Sequence, residues 1–222
     1  GFRDKIFEKY ELEVQVAGWD REDEKELSFL GRVIRLTSTG IELEGDDKHV
    51  GLLEEEWGMI NCGPVATPYV KPTVSVDGVV GDDEAKALGP ADDTLYCRAA
   101  ARINYVAPGR PDLSFASRVA SSHMSCPKEG DDQVIKRIIR YPMGKPRVAI
   151  RYQFQEESEG ITVFTDCDWA GDKTTRKSTS GDVVCRGQHI ISWWCKLQSS
   201  IALSSCEAEL NAALKGAFEG LN

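Results

Sequence analysis

Apolar positions along this chain change period three times, and each change predicts an element. Residues 27 to 44, "LSFLGRVIRLTSTGIELE", alternate and place β-branched Val33 and Ile41 on two short strands around a turn at Ser38 to Gly40. "HVGLLEEEWGM" then predicts a short helix, which "CGPVATPYVKP" stops with three prolines. From Thr73 to Asp93 the residues are mostly Gly, Asp and small side chains, the composition of a linker. A helical period resumes at Leu95, with Tyr96, Ala100, Ile103 and Ala107 on one face, and "PGRPD" breaks it. Asp112 has the position of a cap for the next helix, whose stripe is Leu113, Ala116, Ala120 and Met124. A third helix, "DDQVIKRIIRY", turns Val134, Ile135, Ile138 and Ile139 inward, and Pro142 is expected to end it.

Beyond these helices the period becomes two. "ITVFTDCDW", "GDVVCRG" and "HIISWWCKLQ" predict three antiparallel strands, the last two joined by a tight turn near Gly187. "SSCEAELNAALKGAFEGL" predicts a helix in which Ser204 and Glu207 have capping-box spacing. Its expected buried stripe is Leu210, Ala213, Leu214, Ala217 and Leu221. A three-stranded meander with one helix makes a small core. Its last strand leaves an edge able to pair with another chain.

Composition narrows the class. The chain has 222 residues with 41% apolar content, enough for one or two domains. No run approaches the length of apolar sequence that a membrane-crossing helix needs. The start, "GFRDKIFEKYELEV", lacks Met and does not resemble a signal peptide, so an internal start is expected. Seven widely spaced cysteines with no CxxC pair point to reduced thiols and an intracellular setting, and away from structural zinc. Charge is uneven: residues 1 to 97 hold 10 basic and 22 acidic side chains, residues 98 to 222 hold 17 and 14. Lys136, Arg137, Arg140, Lys145, Arg147 and Arg151 run with no acid among them, a pattern that fits either a polyanionic substrate or a solvated helix face. The acidic first part fits a protein partner better.

Chemistry concentrates in "VFTDCDWAGDKTTRKSTSG", residues 163 to 181. A carboxylate at the end of an apolar strand needs a cation or hydrogen-bond donors. "GDKTTRKS" fails as a P-loop, because Arg176 stands where a second glycine is needed and a strand follows. The Gly-Asp-Asp triplets beginning at Gly45, Gly81 and Gly130 do not lie between apolar strands and read as acidic loops. Asp166 and Asp168 lack the surroundings of a nucleotide-sugar metal motif. The combination that survives is Asp166, whose apolar neighbours Val163 and Phe164 place it in mid-sheet, with the helix acids Glu207 and Glu209. Glu207 has a local use in the cap, which makes Glu209 the better metal ligand. Phosphodiester hydrolysis by paired divalent ions needs several such hard oxygens.

"TDCDWAGDKTTRKSTSG", "ISWWCKLQSSIALSSCEAEL" and "RPDLSFASRVASSHMSCP" closely resemble the ribonuclease H region, and the segment connecting to it, of Copia-type LTR-retrotransposon Pol polyproteins. "FLGRVIRLTSTGIEL" with "NCGPVATP" resembles the end of the reverse transcriptase of the same polyprotein. The resemblance implies an α/β (α+β) fold with a ribonuclease H-like mixed sheet and packed helices, truncated at its C-terminus. It implies 1–72 as the end of a thumb- or connection-like reverse transcriptase segment, 73–94 as a linker, 95–158 as a helical connection and 159–222 as a partial ribonuclease H-like domain. Asp166 and Glu209 match the family's catalytic and metal-binding carboxylates, with Mg2+ or Mn2+ as cofactor and RNA/DNA hybrid as substrate. Asp168, Trp169 and Asp172 match motif positions without a catalytic role carried over. Lys173, Arg176, Lys177 and Ser178 are expected near the substrate backbone. Two further aspartates of the family would fall beyond Asn222, and the polymerase aspartates before Gly1. Pro142 replaces a leucine common in the family. The expectation is therefore a fragment inactive as it stands, with a non-catalytic structural or protein-interaction subunit as the alternative.

Overall fold

The computed structural model describes residues 10–11, 14–45, 48–71, 86–157 and 160–221. Strands β1 (Glu26–Phe29), β2 (Arg32–Thr37), β3 (Gly40–Gly45) and β4 (Ala149–Gln153) form one sheet in the order β1-β2-β3-β4. Strands β5 (Ile161–Asp168), β6 (Thr179–Arg186) and β7 (His189–Leu197) form a second, in the order β5-β6-β7. The helices are α1 (Lys48–Glu56), α2 (Pro90–Val106), α3 (Ser114–Ser122), α4 (Asp132–Gly144) and α5 (Ser205–Leu221). The protein is thus α+β, and every pairing between these strands is antiparallel, as expected for β5, β6 and β7; none of the described pairs is the parallel one of a mixed sheet. β5 is an edge strand among the described residues, so Asp166 does not lie in mid-sheet.

Residues 27 to 44 make three strands instead of two. The extra reversal falls at Leu30 and Gly31, both with positive φ (49° and 68°), the backbone of a tight hairpin turn. Leucine in that conformation hides the turn from composition. β4 lies in the segment expected to be helical, and it pairs with β3 from Gly40↔Gln153 to Glu44↔Ala149. Residues 73 to 85 of the expected linker lie outside the described residues, as does the acidic triplet at Gly81. Residues 86 to 89 precede α2, which begins at Pro90 and takes in the last part of that stretch.

The helical core joins α1 to α4. Tyr96, Ile103, Leu113, Ile135, Ile138 and Ile139 are fully buried in it, with Val50, Leu53 and Met59 packed from the first part of the chain. Val106, in place of Ala107, completes the buried face of α2, and Val134 is only partly buried. Asp112 caps nothing: its two oxygens accept from Nε and Nη2 of Arg110, both at 3.0 Å, because a guanidinium only 2% exposed needs a charge partner. Pro142 does not end its helix. α4 runs to Gly144 with Pro142 buried against the core, since a proline so near the C-terminus disturbs only the final turn.

α5 lies across β5 and β6 on the reverse of the expected face. Ala208, Ala212 and Gly216 are buried, whereas Leu210 is 67% exposed and Leu221 85%. The backbone approach explains this. A Cβ on Gly216 would stand 2.4 Å from Thr165 Cγ2 and 3.1 Å from Val163 Cγ1, and one on Gly220 would stand 2.7 Å from Val163 Cγ2. Only residues with little or no side chain fit that gap. Gly216→Ala is therefore expected to destabilise the chain by about 1–3 kcal/mol through overpacking. Denaturant titration checks it, and Thr165→Ser, which removes the obstructing methyl, should recover part of the loss.

Candidate functional site at the end of β5

β5 is a regular strand, so successive side chains alternate between its faces. Val163 and Thr165 touch α5, and Cys167 follows them on that side. Asp166 stands on the other side, exposed, opposite Gly181 in register. Glu209, near the start of α5, reaches the same strand end from the helix side and acts on the Cys167 thiol. Burial, then Glu209 and Asp166, push that thiol up to about 11. The two acids thus meet the strand end from its two sides. Glu207 is used by the cap: it accepts from the Leu203 N–H at 2.7 Å, while Ser204 Oγ accepts from the Glu207 N–H at 3.2 Å.

The loop after β5 is held by its own polar side chains. Asp168 accepts from Lys71 Nζ at 3.1 Å and leans over Gly171, where a Cβ would lie 1.9 Å from Asp168 Oδ2. Asp172 Oδ1 accepts from the N–H groups of Thr174 (3.0 Å) and Thr175 (2.9 Å). Although burial works against it, those donors, with Thr175 first, hold its carboxyl below the usual range. Trp169 Nε1 donates to Ala202 O at 3.2 Å, tying the loop to the approach to α5. Lys173 and Arg176 are exposed on the loop, Arg176 with φ of 59°, and Lys177 is half-buried. Ser178 lies fully buried beneath the loop, its hydroxyl accepting from the Ala170 N–H at 3.1 Å, so it shapes the turn from inside.

Among the described residues, no group of three or more His, Cys, Asp or Glu side chains converges to hold a metal ion. Asp166 and Glu209, divided by the strand, do not by themselves fit a divalent ion.

No family model matches the chain, and no solved structure matches it. Over 199 residues, 89% of its length, it is 33% identical to the retrovirus-related Pol polyprotein from transposon RE1 of Arabidopsis thaliana. That match covers 13% of the polyprotein, so the chain spans about an eighth of it. It is also 32% identical over 192 residues to the uncharacterized mitochondrial protein AtMg00810 of Arabidopsis thaliana, covering 86% of this chain and 75% of that protein. The chain belongs to the retrovirus-related Pol polyproteins of Copia-type transposons. A third relative, secreted RxLR effector protein 161 of Plasmopara viticola, is 32% identical over 127 residues, 57% of this chain and 89% of that protein.

Within this Pol segment the basic run of residues 136 to 151 is largely engaged inside the molecule. Arg147 pairs with Glu42 (2.7 Å) and Glu44 (2.8 Å), and Arg151 with Glu42 (2.9 Å). Lys136 pairs with Asp132, Arg140 Nε donates to Gly63 O, and Arg137 Nη2 donates to Thr67 Oγ1. The acids and bases that composition separates into halves meet across β3 and β4. Arg137 and Arg140 also dock residues 63 to 67 onto α4.

Two residues of the Pol segment's second sheet escape a motif-based reading. Gln198 Nε2 donates to Ser180 Oγ (2.8 Å) and Ala208 O (2.9 Å), linking β6 to the start of α5. Asp182 is 4% exposed beneath Gly216, and among the described residues neither of its oxygens has a hydrogen-bond partner of normal geometry. Burial, then Glu219, raise it to about 6, while Lys215 and the facing Trp194 indole ease the charge. Such signals lie in contacts between elements and not in spacing along the chain.

Two outcomes are expected. Because Asp182 binds its proton more tightly when folded, at about 6 against 3.8, stability should rise as pH falls through 6 and level off below 3.8. Asp182→Asn should stabilise the chain at neutral pH by roughly 1–3 kcal/mol and flatten that slope, as read by thermal melts across pH. Glu209→Gln should lower the Cys167 thiol pKa and speed its alkylation several-fold. Site-resolved mass spectrometry reads that rate, with exposed Cys126 and Cys206 as unchanged references.

Proposed function

We propose that this chain is the part of a transposon Pol polyprotein that joins the end of a reverse transcriptase to the first strands and helix of a ribonuclease H-like unit. The observation that carries this reading is the β5-β6-β7 meander with α5 laid on it through small residues, which brings Glu209 to the strand end that bears Asp166. The activity it belongs to is hydrolysis of the RNA strand in RNA/DNA hybrids, where Mg2+ or Mn2+ supplies the activated water and stabilises the leaving oxygen. Two carboxylates on either side of one strand end are too few for a pair of such ions. By itself the chain therefore binds hybrid without cutting it.

A second reading, a non-catalytic interaction subunit, is favoured by the apolar stripe Leu210, Leu214, Phe218 and Leu221 that α5 leaves exposed. The chain also matches AtMg00810 and the effector over most of their own lengths, at 75% and 89%.

One incubation separates the two. With labelled RNA/DNA hybrid and Mg2+, the first reading expects a complex whose affinity falls steeply with salt and an RNA strand left whole. Cleavage abolished by Asp166→Asn would show that the chain completes the site after all. No complex at any salt concentration, together with self-association in sedimentation, would favour the interaction subunit.

A further inference from the structure

A cleft of about 540 Å³ separates α2 and α3 from β7, on the sheet face away from α5. That placement follows from strand alternation. Lys215 of α5 lies 4.3 Å from the Trp194 ring centroid, so Trp194 faces α5 and its neighbours Trp193 and Cys195 face the cleft. Arg32, from the start of β2, and Arg118, from α3, line it together with Asn104, Ser114 and Ser121. Among the described residues no acidic side chain lines it, in a protein of net charge -9.

The two arginines are unlike most others here. Among the described residues neither takes part in an ion pair, whereas Arg35, Arg110 and Arg147 all do. The carboxylate that Arg118 acts on, Asp172, already spends Oδ1 on two backbone N–H groups. Ser117 Oγ donates to Asn104 Oδ1 at 2.6 Å, which fixes that amide and leaves its Nδ2 hydrogens to donate. The cleft therefore presents two guanidiniums, an amide donor and hydroxyls around an indole.

We infer that this cleft binds a phosphate ester carrying a planar base, with Arg32 and Arg118 on the phosphate and the Trp193 indole against the base. Guanidiniums without internal partners suit phosphate oxygens, and an aromatic face suits a base of any identity. The sheet directs what such a ligand meets next. Cys195, Gly181 and Asp166 stand opposite one another in register across β7, β6 and β5, with no side chain at Gly181 between the outer two. Two strand spacings, about 10 Å, separate the cleft wall from Asp166. The site itself does not need the chain to cut anything; only the choice of a nucleic-acid strand over a free nucleotide as ligand source rests on the proposed function.

The test is fluorescence anisotropy of the intact 222-residue chain with a labelled short RNA/DNA hybrid, and competition by adenosine monophosphate. Arg118→Gln and Arg32→Gln should each weaken binding about tenfold and lower the salt dependence by about one phosphate contact. Arg98→Gln, outside the cleft, should change little, and Arg118→Lys should recover part of the affinity. Arginine-dependent binding of hybrid without competition by the mononucleotide assigns the cleft to a strand. Arginine-dependent binding of the mononucleotide alone keeps the cleft and removes the hybrid reading. Hybrid binding unchanged in both arginine variants, or neither probe bound by the wild-type chain, overturns the inference.

Discussion

The second half of the molecule depends on how closely α5 approaches β5. At Gly216 the helix lies so near the strand that one methyl group would collide with Thr165, and Gly220 repeats this one turn later against Val163. A helix held at that distance has little freedom to rotate or slide, because its small face matches only one strip of the sheet. Three consequences follow. The large apolar residues must point outward, the start of the helix must arrive at the C-terminal end of β5, and whatever lies under the helix on β6 is sealed from water. Glu209 beside Cys167 results from the second, and Asp182 without a partner from the third.

The sealed aspartate works against stability, and the remainder of the protein shows how seldom that is tolerated. Elsewhere such acids are provided for: buried Glu44 is held by Arg35 and Arg147, each at 2.8 Å, half-buried Asp112 by Arg110, and half-buried Asp172 by the N–H groups of Thr174 and Thr175. The pair between Arg147 and Glu44 spans 103 residues of sequence and helps join β4 to a sheet otherwise made from the first part of the chain. Exposed pairs are worth little singly, but here two acids bridge three arginines over one sheet face, which ties β2, β3 and β4 together.

Much of this was legible in the sequence where a single period ran unbroken. The meander and α5 fall where alternation and capping place them, since Ser204 and Glu207 do bond as a cap and Gly187 does turn with a positive φ of 59°. The helical cores around Ile135, Ile138 and Ile139 were legible for the same reason. What pattern could not show was which of two apolar faces a helix buries. Large residues dominate a hydrophobic stripe, so Leu210 and Leu214 outweighed Ala208, Ala212 and Gly216, although it was the small ones that let backbones touch. β4 was missed because the alternation of Ile150 and Tyr152 with Arg151 and Gln153 is confined to five residues, and its partners on β3, Glu42 and Glu44, lie more than one hundred residues away.

For the candidate site, the rough placement of two acids was legible in the sequence and their orientation was not. Asp166 and Glu209 come to one strand end, yet the parity of the strand puts Cys167, not Asp166, on the helix side. Parity is a one-residue matter that composition cannot encode. It has a constructive side: the same parity that turns Asp166 away from α5 turns it toward the face shared with Trp193 and Cys195. Arg118 lies close enough to Cys195 and Asp172 to act on both electrostatically, so it spans from the cleft to the loop that follows β5. A polyanion drawn to Arg118 would thus approach Asp166 over the open position at Gly181, while Glu209 waits on the far side of the strand. At the tip of that strand end Asp168 is anchored by Lys71, and Asp172 holds the N–H groups of Thr174 and Thr175. The loop residues Lys173 and Arg176 are the exposed cations at that tip, and their place in the molecule follows from the turn beneath them and not from their own contacts.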